Sequence, residues 1–471
     1  MNYSTIEQIK NTYQKQFEFK NELKTFAIAE RINWLKSLKK SIIDRQDDIK
    51  VAIHKDFGKS PTETEITEIL PSILELNHFI KNIKKWAKNR SVSPSLLFAA
   101  TTAKLVYEPK GNTLIITPWN YPFLLPIMHL SASVSAGNTV ILKLSEATPN
   151  TNKILQEIIS KTFEEKHVAI ILGEVEETTY LTSLKFDHIH FTGSSTVGKI
   201  IMRRAAAHLT DITLELGGKS PVFIDKEINI KEVAKNIIWS KFVNMGQTCI
   251  APDYLLVDKS IEHEFDAAIR EEMYNAFGSD PAQSLDLARI INHKQFDRLV
   301  SYLDELEDSS TTWITKGEND KNTLFIHPTI IKNVPQDANI MKDEIFGPIL
   351  PIYYYSELHD ALNIVDQKEK PLALYIFSKN QSYIDKVINT TTAGGTTVND
   401  ALIHIMHPNL PFGGVNNSGI GQSKGFYGFK SFSHERSVLK PILFPMSKFF
   451  WYPYGANAHK VLHIIRKIFF K

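Results

Sequence analysis

The runs TLIITPWNYPF (113–123), TVILKLSE (139–146), VAIIL (168–172) and HIHFTGSSTVGK (188–199) decide the fold. Each is a short β-rich stretch ending in a turn, and the gaps between them are long enough to hold a helix. That alternation predicts a parallel sheet covered by helices, with KLVYEP (104–109) as its first run. A second series follows after residue 211: ITLEL (212–216), PVFI (221–224), YLLV (254–257), ILPIYYY (349–355) and ALYIFS (373–378). Helical segments such as IKEVAKNIIWSKFV (230–243) space it, so two successive α/β lobes are expected. Ahead of them, residues 5–90 read as helices, because apolar positions such as Ile28, Ile32, Leu35 and Leu38 recur at three- and four-residue steps. SPSLLFAATTAKLVYEP (93–109) and PFGGVNNSGIGQSKGFYGF (411–429) fit neither series and read as bridging or oligomer-arm elements.

Composition sets the bounds. The 471 residues are 43% hydrophobic, enough for two or three domains with substantial cores. Lysine and arginine number 54 against 52 acids, and no long block of one sign occurs, so nucleic acid is not an expected partner. The polar start MNYSTIEQIKNTYQKQFEFKNELKT lacks the apolar stretch of a secretion signal. No apolar run reaches the ~18 residues of a spanning helix. One cysteine, Cys249, forms no internal disulfide and supplies no multi-cysteine metal site, so no metal is expected and a reducing, cytoplasmic compartment fits.

Four places carry residues able to do chemistry. Cys249, in NMGQTCIAPDY after a helical stretch, sits in a setting suited to an exposed turn; it reads as a nucleophile or as a small buried hydrophobe. Glu215 ends a strand before paired glycines, as a base or as a solvated turn residue. Asn120, between two prolines, is an oxyanion donor or a turn stabiliser. The glycines of FTGSSTVGK (191–199) lie between a strand and a helix amino terminus, a place for phosphate. Their spacing nearly matches a mononucleotide loop, but Ile200 stands where the magnesium-binding hydroxyl belongs, and a plain strand-to-helix turn remains open.

Taken in order, PWNYP, ILKLSE, FTGSSTVGK, LELGGKSP, GQTCIAPDY, EIFGP and PFGGVNNSGIG resemble the NAD(P)-dependent aldehyde dehydrogenase superfamily. The helical amino terminus resembles its class 3, fatty- and aromatic-aldehyde branch. The resemblance implies two lobes, a NAD-binding domain from 1–90 and 107–212 and a catalytic domain from 213–397. Residues 91–106 and 398–430 would bridge or oligomerise, and 431–471 would form a tail. It makes Cys249 the nucleophile of a thiohemiacetal and thioester route, Asn120 the oxyanion donor with the Cys249 N–H, and Glu215 the general base. The glutamate argues against coenzyme-A-acylating relatives. Cofactor contacts fall to Lys143, Glu146, Gly193, Ser194, Gly198, Leu216, Glu344 and Phe346. Glu146 should accept ribose hydroxyls and repel a 2′-phosphate, so NAD is expected over NADP, with both used in this branch. Leu144 departs from the usual proline after the cofactor lysine. PFGGVNNSGIG is expected at the entrance or a subunit contact, without a catalytic role.

Tyr121, Trp239, Thr248 and Ile250 suggest a pocket for an apolar aldehyde, aliphatic or aromatic, although each could simply pack the core. The tail FPMSKFFWYPYGANAHKVLHIIRKIFFK puts Val461, Ile465 and Ile468 on one helical face, suited to packing across a homodimer or, alternatively, to peripheral membrane contact. Two rival readings remain: a cofactor-independent cysteine hydrolase or esterase using Cys249 and Glu215, and a non-catalytic binding protein on the same fold.

Overall fold

Residues 3–470 are described by a computed structural model. Helices Ile6–Leu23, Ile28–Asp44, Gln46–Phe57 and Leu70–Trp86 occupy the amino-terminal region as expected. The first starts with a capping box, Thr5 Oγ1 accepting from the Gln8 N–H while Gln8 Oε1 accepts from the Thr5 N–H. Ile32, Leu35 and Leu38 are buried along one stripe of the second.

Three sheets follow. The first has six strands in the order Gly419–Ile420, Asp211–Glu215, His188–Thr192, Asn112–Ile116, Thr139–Lys143, Val168–Ile171, all parallel except the first pair. Its central strands are buried on both faces, which is why they read as continuous apolar runs. The second has seven strands centred on Pro221–Ile224 and Tyr254–Asp258, parallel but for the edge pair Thr312–Thr315 with Thr329–Lys332. The third is small and antiparallel, pairing Thr101–Pro109 with Arg90–Val92 and with Ser433–Pro441. The predicted α/β architecture is therefore the one observed, built around parallel lobes.

Two runs belong elsewhere than the sequence suggests. KLVYEP, read both as the first run of the series and as part of the separate stretch 93–109, lies in the small antiparallel sheet and not in the first lobe. Only Lys110 and Gly111 separate it from the strand Asn112–Ile116, and a parallel neighbour needs a crossover of about a dozen residues. ITLEL joins the first sheet beside His188–Thr192, reached through the crossover helix Ser195–Ala206. The short GGKS link to PVFI rules out a parallel pairing of those two strands for the same reason, so the chain changes lobes at Gly217–Ser220. The strand Ser433–Pro441, expected in the tail, completes the small sheet against Thr101–Pro109.

Candidate active site

The residues singled out in the first lobe leave its sheet along one edge. Register sets Ile116 beside Lys143 and Phe191, and Thr192 beside Glu215. The segments carrying Asn120, Glu146, Ser194 and Leu216 thus open at the carboxyl ends of parallel strands. The strand order reverses at Asn112–Ile116, the position where doubly wound sheets form a ligand crevice.

Cys249 arrives from the other lobe. Between the helix Ile230–Phe242 and the thiol, Asn244 (φ 54°), Met245 (φ 53°) and Gly246 (φ 71°) are all left-handed. Such backbone costs of order 1–3 kcal/mol for each non-glycine residue and persists only where its surroundings impose it. Glu63 Oε1 accepts the Asn244 N–H at 2.9 Å, and Asn244 Nδ2 donates to the Asn120 carbonyl at 2.8 Å. Gln247 Nε2 donates to the carbonyls of Asn244 and Arg289, and its Oε1 accepts the Ile291 N–H, each at 3.0 Å. Burial pushes the Glu63 carboxyl up to about 7 against the pull of Lys59 and the Asn244 N–H. None of Glu63, Asn244 and Gln247 is marked by the sequence reading; the available signal was Asn244 and Gly246, two residue types that tolerate a left-handed turn, just before the cysteine.

Asn120 and Tyr121 meet this loop. Asn120 is buried; its Nδ2 donates to the Gln247 carbonyl at 3.1 Å, and its Oδ1 has no partner. Tyr121 and Thr248 share a 2.6 Å hydrogen bond between hydroxyls. The PWNYPF segment is held by Glu68, which accepts the N–H groups of Phe123 and Leu124 and pairs with the fully buried Lys59 at 2.8 Å. Ile250 is buried, its carbonyl accepting from the Tyr375 hydroxyl. Trp239 differs from its expected pocket companions: it is 46% exposed, on the solvent side of its helix, which also excludes it from the core.

Cys249 is half-buried rather than exposed. Burial pushes its thiol well up, and the charges of Glu344 and Glu215 push the same way, so the sulfur is protonated at neutral pH. Glu344 is itself pushed up to about 8, by burial first and Asp253 next, although the Gly218 N–H counteracts both. It is mostly uncharged near pH 7, so the Glu215 carboxylate is the anion acting on the thiol there. The EIFGP loop is anchored by Lys219, which donates to Asp253 and, at 2.8 Å each, to the carbonyls of Ile340 and Asp343. Asp253 Oδ1 also accepts the Ile345 N–H. Phe346 is left-handed (φ 47°), its ring edge-on to Trp119 with centroids 5.4 Å apart. A Cβ on Gly217 would collide with the Glu344 carboxylate, so the glycine pair permits that approach.

Glu215 is 2% exposed, which excludes a solvated turn. Ser423 Oγ donates to Oε1, and Thr192 Oγ1 donates to Oε2 at 3.2 Å. His129 Nε2 and His190 Nε2 stand 3.4 and 3.9 Å from Oε2. Burial alone would push the carboxyl up; His129 and His190 together hold it well below the usual carboxylate range. Ser423 lies two residues beyond PFGGVNNSGIG, in the run 411–429 read as a bridging or oligomer-arm element. This run folds onto Glu215: Gly419–Ile420 pairs with Asp211–Glu215, and the Leu216 N–H donates to the Ser418 carbonyl. His129 lies in the helix Leu124–Ala136, every residue of which is buried. A histidine inside so apolar a run was the signal that could have drawn notice.

Of the positions expected to meet the cofactor, those of the first lobe follow the carboxyl ends of its strands. Lys143 Nζ is buried, donates to the Leu144 carbonyl at 2.8 Å and lies 3.8 Å from the half-exposed Glu146 carboxylate. Ser194 caps the helix Ser195–Ala206, whose first-turn N–H groups suit an anion. A Cβ on Gly198 would fall 2.7 Å from Leu216 Cδ2, so this glycine sets helix against loop. The Gly193 N–H is occupied by the Glu215 carbonyl and is not free to meet a phosphate.

The same layout recurs in known proteins. The model of the family described as aldehyde dehydrogenase matches residues 1–438. The 4,4'-diaponeurosporen-aldehyde dehydrogenase of Staphylococcus aureus (strain NCTC 8325 / PS 47) is 40% identical over 421 residues, covering 89% of this chain and 91% of that protein. The dimeric NADP-preferring aldehyde dehydrogenase of Rattus norvegicus is 39% identical over 432 residues, covering 92% and 94%. The substrate-bound structure of Staphylococcus aureus AldH matches with a TM-score of 0.93 at 37% identity, covering 99% of this chain and all (100%) of that one. With a family model spanning most of its length and relatives near 40% identity, the chain belongs to the aldehyde dehydrogenase family.

Proposed function

We propose that this aldehyde dehydrogenase oxidises apolar aldehydes to carboxylic acids through a covalent intermediate on Cys249, with NAD or NADP as oxidant. The supporting observation is the junction of the lobes, where Asn120 Nδ2 lies 3.1 Å from the carbonyl of Gln247, two residues before the lone thiol. In this reading the sulfur gives up its proton to solvent and adds to the aldehyde carbon, giving a thiohemiacetal whose oxyanion accepts hydrogen bonds from the free Nδ2 proton of Asn120 and from the Cys249 N–H. When bound, NAD(P) supplies the hydride acceptor. Water opens the resulting thioester and passes its proton to Glu215, which His129 and His190 keep ionised against its burial and the Thr192 and Ser423 hydroxyls hold in place.

An apolar substrate fits the flank formed by the Tyr121 ring, Thr248 and Ile250, and the Staphylococcus relative is named for 4,4'-diaponeurosporen-aldehyde. NAD is favoured because the Glu146 carboxylate would face a 2′-phosphate, while the name of the rat relative indicates that NADP is accommodated within the family. The test is nucleotide reduction with hexanal, decanal and benzaldehyde, each with NAD and with NADP. Turnover of all three, faster with NAD, is expected; turnover of only short polar or charged aldehydes would overturn the substrate assignment. Asn120→Ala is expected to lower kcat by roughly 100- to 1,000-fold, the usual effect of removing one oxyanion donor. Asn120→Asp, which keeps the shape without the donor, should fall as far.

The tail also suggests a contact. Helix Ala456–Phe469 packs on little beyond the turn Met446–Phe450 and exposes Leu462, Ile464, Ile468 and Phe469, next to exposed Leu443, Trp451 and Tyr452. So continuous an apolar surface on one chain is suited to a partner, and among the described residues no helix is long and apolar enough to cross a membrane. In this reading the tail packs across a homodimer. Sedimentation should give a dimer that dissociates when residues 442–471 are removed, and the full chain should not pellet with anionic liposomes. Pelleting that disappears without residues 456–471 would assign the tail to a membrane surface instead.

A further inference from the structure

Four potential ligand atoms converge beside the Glu215 carboxylate. His129 Nε2 and His190 Nε2 are 3.1 Å apart and lie 3.4 and 3.9 Å from Glu215 Oε2. Thr192 Oγ1 is 3.5, 3.4 and 3.2 Å from these three atoms in turn. The six separations describe a tetrahedron, and donors bound to zinc at about 2.0–2.1 Å in tetrahedral geometry stand about 3.3–3.4 Å from one another. The ring centroids are 3.7 Å apart and the planes are tilted by 36°, so the rings lie nearly face to face and both turn toward one another when their Nε2 lone pairs meet on one ion.

Electrostatics point the same way. The carboxylate is 2% exposed, and among the described residues no lysine or arginine pairs with it. A buried anion without a cation is costly.

We propose that His129, His190 and Glu215, with Thr192 or a water in the fourth position, form a binding site for a divalent transition-metal ion, with zinc the best fit. Two imidazoles and a carboxylate in tetrahedral array are a donor set suited to that ion. The His190 Nδ1 is buried without a partner, so the support normally given to a metal-bound imidazole is incomplete and affinity falls about 10- to 100-fold short of a fully supported site. An ion here withdraws the carboxylate from proton transfer and inhibits turnover. That consequence rests on the base role proposed for Glu215, whereas binding itself does not.

The test uses untagged, chelator-stripped and dialysed protein titrated with Zn2+ alone. One ion per chain is expected, the same in Cys249→Ser, with binding at least about 100-fold weaker in folded His129→Leu and His190→Leu. Co2+ on the wild-type chain should give the intense visible bands of a tetrahedral site without a near-ultraviolet thiolate charge-transfer band, a readout that stays decisive if a histidine variant fails to fold. The proposal is overturned by no stoichiometric ion on the wild type, by a thiolate band, by loss of binding in Cys249→Ser, or by binding that survives both histidine substitutions. Because none of these readouts involves an aldehyde, failure of the dehydrogenase reading would leave their meaning unchanged.

Discussion

Cys249→Ala is expected to abolish NAD(P)H formation, with a fall on the order of 10⁴- to 10⁶-fold, the scale on which removal of a covalent nucleophile is felt. Asn120 and Glu215 stay in place in this variant but have no thiohemiacetal to stabilise and no thioester to open. The chain contains one cysteine, so alkylation by iodoacetamide should fall to zero in parallel, and no second thiol can rescue the reaction. Retention of a tenth of wild-type turnover would overturn the covalent route. The pH profile of the wild type gives a second handle. Burial and two neighbouring carboxylates raise the thiol, so the thiolate fraction, and with it kcat/KM, should climb as pH rises from neutrality. Glu344, raised to about 8, acquires its charge over the same interval and then opposes thiolate formation, so the climb should flatten above pH 8. Glu344→Gln should remove the flattening while leaving the climb in place.

The lobes and the nucleophile's neighbourhood were legible because they depend on local signals. β-rich runs with helix-length gaps announce parallel strands, and the motif order singles out Cys249, Glu215 and Asn120 as candidates from the sequence alone. KLVYEP and ITLEL are misplaced where run content outweighs connection length: two residues before the strand Asn112–Ile116 and four before PVFI are too few for a parallel crossover. The supports of the site were harder to read. Lys59 and Glu68 clamp the Asn120 loop from an amino-terminal helix, Ser423 reaches Glu215 from more than 200 residues away, and Lys219 anchors the loop of Glu344. Each is a polar side chain whose meaning depends on a partner distant in sequence, and periodicity carries no information about that partner. His129 and His190 are a further case, ordinary core histidines until the fold sets their nitrogens 3.1 Å apart.

Glu215→Gln, assayed with chelator present, is expected to lower kcat by about 10²- to 10⁴-fold, the usual contribution of a positioned general base. Glutamine keeps one oxygen to accept from one of the Ser423 and Thr192 hydroxyls while the other hydroxyl turns to accept from its NH2, so the loss reports the missing proton acceptor rather than a collapsed site. Both carboxylate oxygens already accept hydroxyl protons and neither is bonded to the sulfur, which suits a base acting through a water on the thioester. Two further measurements separate that role from direct activation of the thiol. The Glu215 charge raises the thiol, so its removal lets the thiol fall, and iodoacetamide should alkylate Cys249 in the variant at least as fast as in the wild type at pH 7. Rapid mixing should still give close to one equivalent of NADH per site before the slow steady state, because acylation precedes the step that needs the base. Alkylation that slows in proportion to turnover, with no burst, would move Glu215 from the hydrolytic water to the nucleophile itself.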